Sequence, residues 1–419
     1  MDISIKNPAQ HHDVIIIGGG PAGCAAAIAA ARMGADTLVI ESTTCLGGMA
    51  TTGMVSKWAP FDDQQKVIYR SIPLEILERY KKAAGIAPDK YRWVSLYPEV
   101  LKRVYDEMLA EAGAKVLFSS TAAHVVVENG RIQALIVANK NGLTPYTADM
   151  YIDCTGDADV AYFAGVPFEK GNEDGILQNS SLCFLIAGVH LDKRNGVKLS
   201  SDPADGIWKQ MKRDGKYLHL VEHFIPTVQG HDCVLANAGD IVGLDSTDPE
   251  AVSRAMAYGR DLAEQYLNAL KDYLPEVFGD AFIASTAPSM GIRESRRIDG
   301  DYCITVADYI ARRSFDDEIC RNSYWLDCHD DTDQKVEVKQ YGPGDSHGIP
   351  WRCLLPKGMD NLIVAGRSIC MERMALASIR VMPNCLGMGE AAGIGAALAS
   401  RQKTHIRAVD VKDILAHIH

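Results

Sequence analysis

Apolar residues along this chain fall into two rhythms. Val14 to Ile17 is an unbroken β-branched run, the pattern of a strand buried on both faces. Three glycines follow, then an Ala-rich run to Arg32 that predicts a helix closed by Gly34. Thr37 to Ile40 predicts a second strand, ending on Glu41. Further on, Pro98 opens a helix through Ala112 that Gly113 ends, with Val100, Val104, Met108 and Leu109 on one face. Strands are predicted at Lys115 to Phe118, His124 to Val127 and Ile132 to Ala138, the last pair joined by Asn129-Gly130. Met150 begins another strand that runs into Thr155-Gly156-Asp157. Ile68 to Ala83 has helical spacing interrupted by Pro73.

After about Gly165 the strand–helix alternation stops. Leu177 to Val189 and Ala281 to Thr286 read as strands, and Leu191 to Gly215 as an exposed polar stretch. Asp248 to Leu274 is the clearest helix of this region, with Asp248 as cap and Pro249 at its first position. Asn361 to Gly366 restores a buried strand, and Leu386 to Ser400 predicts a tightly packed Ala/Gly-rich helix. Residues 1 to 12 read as a frayed lead.

The first strand–helix–strand unit carries G-x-G-x-x-G at Gly18, Gly20 and Gly23. Gly18 permits the tight turn, Gly20 lets backbone approach a pyrophosphate, and Gly23 lets helix and strand touch. The helix N-terminus offers free N–H groups and a positive dipole end to phosphates. Glu41, 21 residues after Gly20, is placed to accept hydrogen bonds from ribose hydroxyls and to repel a 2′-phosphate. Together these features predict a dinucleotide site. Val14 to Ala31 is also an 18-residue uncharged stretch, but its Gly-Gly-Gly-Pro start and Ala content suit a strand–turn–helix, not a membrane span. Its flanks do not suit a signal peptide.

The totals narrow the class. A chain of 419 residues, 47% hydrophobic, supports two or three packed domains. A net charge of −11 argues against nucleic acid and anionic membranes as partners. Eleven cysteines without a C-x-x-C give no metal signature and suit reduced thiols in a cytoplasm. Cys45 leaves three readings open: a covalent link to the bound cofactor, a redox thiol, for which no second cysteine is close in sequence, or an ordinary loop thiol. His124 reads as a structural histidine of an edge strand.

The order DVIIIGGGPAG, LGGMATTG, DCTGDADVAYFAG, GIRESRRIDGDY, IPWRCLLPKGMDNLIVAGR and IRVMPNCLGMGEAAG resembles an FAD-dependent oxidoreductase family allied to the fumarate reductase and succinate dehydrogenase flavoproteins. The resemblance implies an α/β architecture: a Rossmann-like FAD-binding domain from residues 1–60, 97–165 and 350–419, a helical connection over 61–96, and an inserted α+β substrate or cap domain over 166–349. It implies FAD contacts at Gly18, Gly20, Pro21, Ala22, Gly23, Glu41, Ser42, Gly47, Gly48, Met49, Thr155, Gly156, Asp157, Gly366, Arg367, Gly387 and Met388. The terminal helix would aim its N-terminus at the flavin, stabilising negative charge on the reduced ring.

The departures bear on the substrate. The family's A-G-E is Ala365-Gly366-Arg367 here, and its G-x-N-R arginine has its counterpart at Arg380 in ASIR. Fumarate or succinate itself is therefore in doubt. The resemblance implies hydride exchange between the flavin and a small polar or anionic molecule held by Arg380 and by Arg293 or Arg296. His347 in DSHGIPWR is a candidate proton carrier or a plain loop histidine. The cluster Arg293, Glu294, Arg296, Arg297 otherwise reads as a solvated charged turn. An oxygen-using flavoprotein and a non-catalytic FAD scaffold are the alternatives. No second glycine motif marks a nicotinamide site, so a separate electron-transfer partner and a homo-oligomer both stay open.

Overall fold

The computed structural model describes residues 11–194, 206–221, 223–230, 232–329 and 340–418. The elements used below are β1 (His11–Ile17), α1 (Pro21–Arg32), β2 (Thr37–Ile40), α2 (Ser71–Ala84), α3 (Pro98–Ala112), β3 (Lys115–Leu117), β4 (Thr121–Glu128), β5 (Arg131–Asn139), β6 (Gly142–Asp153), β7 (Phe184–Ala187), β8 (Phe224–Val228), β9 (Cys233–Ala238), α4 (Pro249–Tyr273), β10 (Phe282–Thr286), β11 (His347–Pro350), β12 (Leu362–Val364), α5 (Arg373–Ile379) and α6 (Met382–Gln402).

A parallel sheet in the order β3-β2-β1-β6-β12 organises the chain, as the strand–helix–strand pattern predicts. β6 is long enough to serve two purposes. Its first half continues an antiparallel meander with β5 and β4, and its second half lies between β1 and β12. The β-branched residues of β1 are buried on both faces because α1 and α6 cover one side and the meander and its helix the other. α1 and α6 touch backbone to backbone. A Cβ at Gly389 or Gly393 would fall inside the carbonyl of Ala22 or Ala26, so small residues here set the interhelical distance.

A second, antiparallel sheet runs β8-β9-β7-β10, with its own core against α4. Asp248 caps α4 by accepting from the N–H of Glu250 and Ala251, with Pro249 at its start.

Several sequence expectations change. His11 and His12 belong to β1, while the rest of the lead lies outside the described residues. Pro73 falls in the first turn of α2, where a missing N–H costs nothing, so it starts the helix instead of interrupting it. Of Leu177 to Val189 only β7 is a regular strand. Within Leu191 to Gly215, Ile207–Arg213 is a helix burying Trp208 and Met211, and 195–205 lie outside the described residues. Among the described residues no helix is long and apolar enough to cross a membrane.

Candidate active site

The C-terminal ends of β1, β2, β6 and β12 converge on a cavity of about 470 Å³, the place where open α/β sheets bind ligands. Its floor is the first glycine turn. Gly18 has φ +97°, and its N–H donates to the Ile40 carbonyl at 2.8 Å. Gly23 packs on Gly18 so closely that no Cβ fits between them, while a Cβ at Gly20 would meet nothing within 4 Å. Gly20 caps α1 without any side-chain hydrogen bond, so among the described residues no side chain caps the first N–H groups of that helix, which open on the cavity. Glu41 ends β2 at the rim. Its Oε2 accepts from Gly19 N–H at 2.6 Å and its Oε1 from Thr43 N–H at 2.7 Å. Oε1 also accepts from the Ser42 hydroxyl at 3.4 Å, and Oε2 keeps a further lone pair for a hydroxyl donor.

From β6 come Thr155, Gly156 and Asp157, and from β12 Gly366 and Arg367, all on the cavity wall. Arg367 Nη2 lies 3.0 Å from Asp157 Oδ1, which also accepts from the Ser246 hydroxyl at 2.9 Å. Burial alone would raise the Asp157 carboxyl, but the charge of Arg367 and the hydroxyls of Ser295 and Ser246 hold it below its ordinary range. Pro21, Ala22, Ser42, Gly48 and Met49 complete this lining.

A second cavity of about 180 Å³ adjoins the first, and Met49, Ile292, Arg367, Arg380 and Met382 border both. The antiparallel sheet roofs it through Cys183, Ile225 and Asn237. Its wall holds Lys57, Arg293, Arg367 and Arg380 against one carboxylate, Asp327. Burial and the neighbouring Arg380 push the Arg293 guanidinium down to about 10, still charged at neutral pH. Arg293 Nη1 donates to the Asn179 carbonyl at 2.5 Å. Arg380 Nη2 donates to the Asp327 carbonyl at 3.0 Å, and Arg380 Nε is buried with no hydrogen-bond partner among the described residues. The N-terminus of α6 carries no side-chain cap and opens at the border between the cavities, with Met382 in its first turn and Cys385 on the wall.

The comparisons with known proteins agree with this geometry. Residues 13–418 match the family model for FAD dependent oxidoreductases. The chain belongs to that family. It is therefore an enzyme, its cofactor is FAD, and the scaffold alternative falls. It is 28% identical over 220 residues to a digeranylgeranylglycerophospholipid reductase of Thermoplasma acidophilum, covering 49% of this chain and 55% of that one. The chain thus spans about half the length of the curated relatives it matches. A geranylgeranyl bacteriochlorophyll reductase-like structure from the same organism is 15% identical, with TM-score 0.46, over 97% of this chain and 82% of the other. A p-nitrophenol 4-monooxygenase of Pseudomonas putida is 11% identical, with TM-score 0.49, over 98% and 84%.

The first cavity of this FAD-dependent oxidoreductase fits the cofactor on its own evidence. Uncapped N–H groups of α1, an open Gly20 and a rim carboxylate at Glu41 are the donor set a dinucleotide needs. Gly23 and Gly47 stand behind that surface as packing residues; Gly47 N–H donates to the Gly19 carbonyl at 2.8 Å. Gly387 and Met388 do not reach the cavity. α6 begins four residues earlier than the apolar pattern implies, so both fall inside packed helix, Gly387 against Cys320 and Tyr69. Met382 and Cys385 take their place. Cys45 is off the lining, its thiol raised by burial, which disfavours a covalent link there. His124 is exposed on β4, an edge strand.

The charged turn is not solvated. Glu294 is fully buried, accepting from Arg297 Nη1 at 2.5 Å, from Arg373 Nε at 3.0 Å and from Gln178 N–H at 3.0 Å. This clamp ties the Arg293 segment to α5, whose end carries Arg380. Arg296 leaves the substrate side altogether; it binds the Asp157 carbonyl and Asp159 at 2.8 Å and stacks on Tyr162.

His347 also fails as proton carrier. It is buried in β11 against Tyr309 and Tyr341, hydrogen-bonded to the Tyr341 hydroxyl at 2.6 Å, and lines neither cavity. Burial, with Arg321 and Arg312 adding, pushes it down to about 3. The folded protein keeps this ring neutral, whereas the unfolded chain protonates it below about pH 6.5. Stability should therefore fall as pH drops from about 6.5 towards about 3, by up to about 1.4 kcal/mol per pH unit from this residue. Urea unfolding across that range should show a slope shallower by one proton in His347→Gln; parallel slopes would refute this.

The histidines that do reach the cavity are His223, just before β8, and His329, with Asp327 and Tyr324 beside them. Neither sits in a motif. Their only signal in the sequence is the local crowding of Asp327 and His329.

Proposed function

We propose that this enzyme exchanges a hydride between FAD and a small anionic organic molecule seated in the second cavity. Bound FAD supplies the two-electron hydride chemistry. Arg293 and Arg380 hold the anionic end of the substrate, where their charge exceeds that of the nearby carboxylate. Asp327 orients His329, which replaces His347 as the group that moves the substrate's remaining proton. Trp93, Val55 and Ile225 on the cavity lining limit water at the reacting carbon. The observation that carries the reading is the shared border: Met49, Ile292, Arg367, Arg380 and Met382 line both the cation-rich chamber and the cofactor cavity. The finer tie to fumarate reductase and succinate dehydrogenase flavoproteins rests on motif order and on Arg380, and it does not extend to fumarate as substrate.

The test is an anaerobic screen of the FAD-loaded protein. Small hydroxy acids and saturated carboxylic acids are mixed with it, each beside its neutral amide, and the flavin absorbance is followed. Bleaching by an acid and not by its amide is the expected result. Equal bleaching by the amides would remove the anion anchor from the mechanism. Rapid peroxide release on turnover in air would favour an oxygen-using enzyme instead.

A further inference from the structure

Two imidazoles, two guanidiniums and a carboxylate meet on one wall of the second cavity. His329 Nε2 lies 3.2 Å from Asp327 Oδ2, and its ring stands edge-on to His223 at 5.3 Å between centroids. Asp327 Oδ2 also accepts from the Tyr324 hydroxyl at 2.9 Å and faces Arg380 Nη2 at 3.6 Å. His223 Nδ1 faces Asp240 Oδ1 across 3.8 Å, and neither atom has a hydrogen-bond partner among the described residues. The charged groups acting on the two rings are thus Asp327, Asp240, Arg293 and Arg380.

These surroundings keep both rings neutral. Burial, then Arg293 and the other imidazole, push His223 down to about 4. Burial lowers His329 too, with Arg293 and Arg380 adding and Asp327 pulling the other way. Asp327 itself stays ionised, since His329, Arg380 and Tyr324 together outweigh its burial. A carboxylate at Nε2 requires the proton there, so neutral His329 keeps its lone pair on Nδ1.

We infer that entry of an anion into this cavity loads one proton onto the Asp327–His329 pair, so that an anionic substrate about to accept hydride arrives together with the proton its reduction needs. The inference rests on the anion-site reading above and adds what carries the proton and what loads it. The cause is charge balance. An anion between Arg293 and Arg380 cancels the positive field that adds to burial in keeping His329 neutral, which leaves burial alone against the hydrogen bond and charge of Asp327. A proton from solvent forms a new N–H bond at Nδ1; no electrons move and no bond in the protein breaks. Proton and anion binding must then favour each other reciprocally. Anion affinity is therefore highest at low pH. It falls as pH rises through the window between the free and the anion-bound values of His329, and levels off above it.

Acetate is the probe, because it carries the charge without the chemistry. Its apparent Kd for the FAD-loaded protein is read from the flavin difference spectrum between about pH 5 and pH 9. Wild type should weaken by up to about tenfold per pH unit within the window. His329→Gln, which can still donate to Asp327, should bind acetate with a flat profile, while His223→Gln should keep the slope. Direct proton uptake by wild type on acetate addition in weak buffer should approach one proton per bound acetate. Acetate binding without pH dependence or proton uptake would overturn this inference alone. A slope that survives in His329→Gln would overturn His329 as the carrier. No spectral response to acetate at any pH would overturn the anion-site reading and this inference with it.

Discussion

Arg380→Lys should keep its fold and its FAD and lose about tenfold to a hundredfold in kcat/KM. Arg380 ends α5, and its guanidinium stands where the two cavities meet. Nη2 is spent on the Asp327 carbonyl, but Nε is buried with no hydrogen-bond partner among the described residues. A donor left in that state is available to a ligand. Lysine preserves the charge and loses the planar fork, so a bidentate contact becomes a single one. A hydrogen bond to a charged group is worth about 1.5–3 kcal/mol, and each tenfold in rate is about 1.4 kcal/mol. FAD content should not change, because the cradle is built from the ends of β1, β2, β6 and β12. The measurement is steady-state kcat/KM with whichever acid bleaches the flavin, beside the FAD-to-protein ratio. An unchanged kcat/KM at full FAD content would take Arg380 out of the reaction.

A pair of glycine substitutions should separate cofactor binding from folding. Gly20→Ala is expected to leave the unfolding midpoint of FAD-free protein nearly unchanged and to weaken FAD at least about tenfold. Gly20 has φ −71° and ψ −173°, which alanine adopts freely, and its Cβ would meet no protein atom. The methyl group would instead occupy the space where backbone approaches the pyrophosphate. Gly23→Ala should do the opposite. Its Cβ would fall inside the Gly18 carbonyl, and backbone cannot rotate away as a side chain does. Overpacking of this kind costs about 1–3 kcal/mol and sometimes more. The checks are chemical denaturation of the FAD-free proteins and FAD titration of each. Tight FAD binding by Gly20→Ala would mean the phosphates lie elsewhere. An unshifted midpoint for Gly23→Ala would mean that the turn and helix are looser than they stand.

Much of this was readable in advance. The β1–α1–β2 unit, the limits of α3 from Pro98 to Gly113 and the start of α4 at Asp248-Pro249 all appear as expected. So does the gathering of Gly18, Glu41, Thr155 and Arg367 around one cavity. These features are local. A glycine spacing, a cap or a buried strand is written within a few consecutive residues, and strand ends that share a parallel sheet must bring their loops together. One difference follows from the same locality. Apolar spacing begins the last helix at Leu386, whereas Met382, Pro383 and Asn384 belong to it without sharing the pattern, so Gly387 and Met388 lie one turn further from the cavity than the spacing implies.

The second cavity was only half legible, through Arg293 and Arg380. No spacing joins them to His223, Asp327 and His329, which come from the second sheet and from an extended segment beyond it. His347 stood out as the histidine nearest a recognisable segment, yet β11 turns it into the core. By itself the sequence determined the cofactor, the parallel sheet and the residues that line its strand ends. The tertiary structure alone decided which charges face one another across the substrate chamber. Local patterning reports how much of an element is buried. Which distant side chains share a cavity depends on how separate elements pack, and that energy is spread over many contacts that no short stretch encodes.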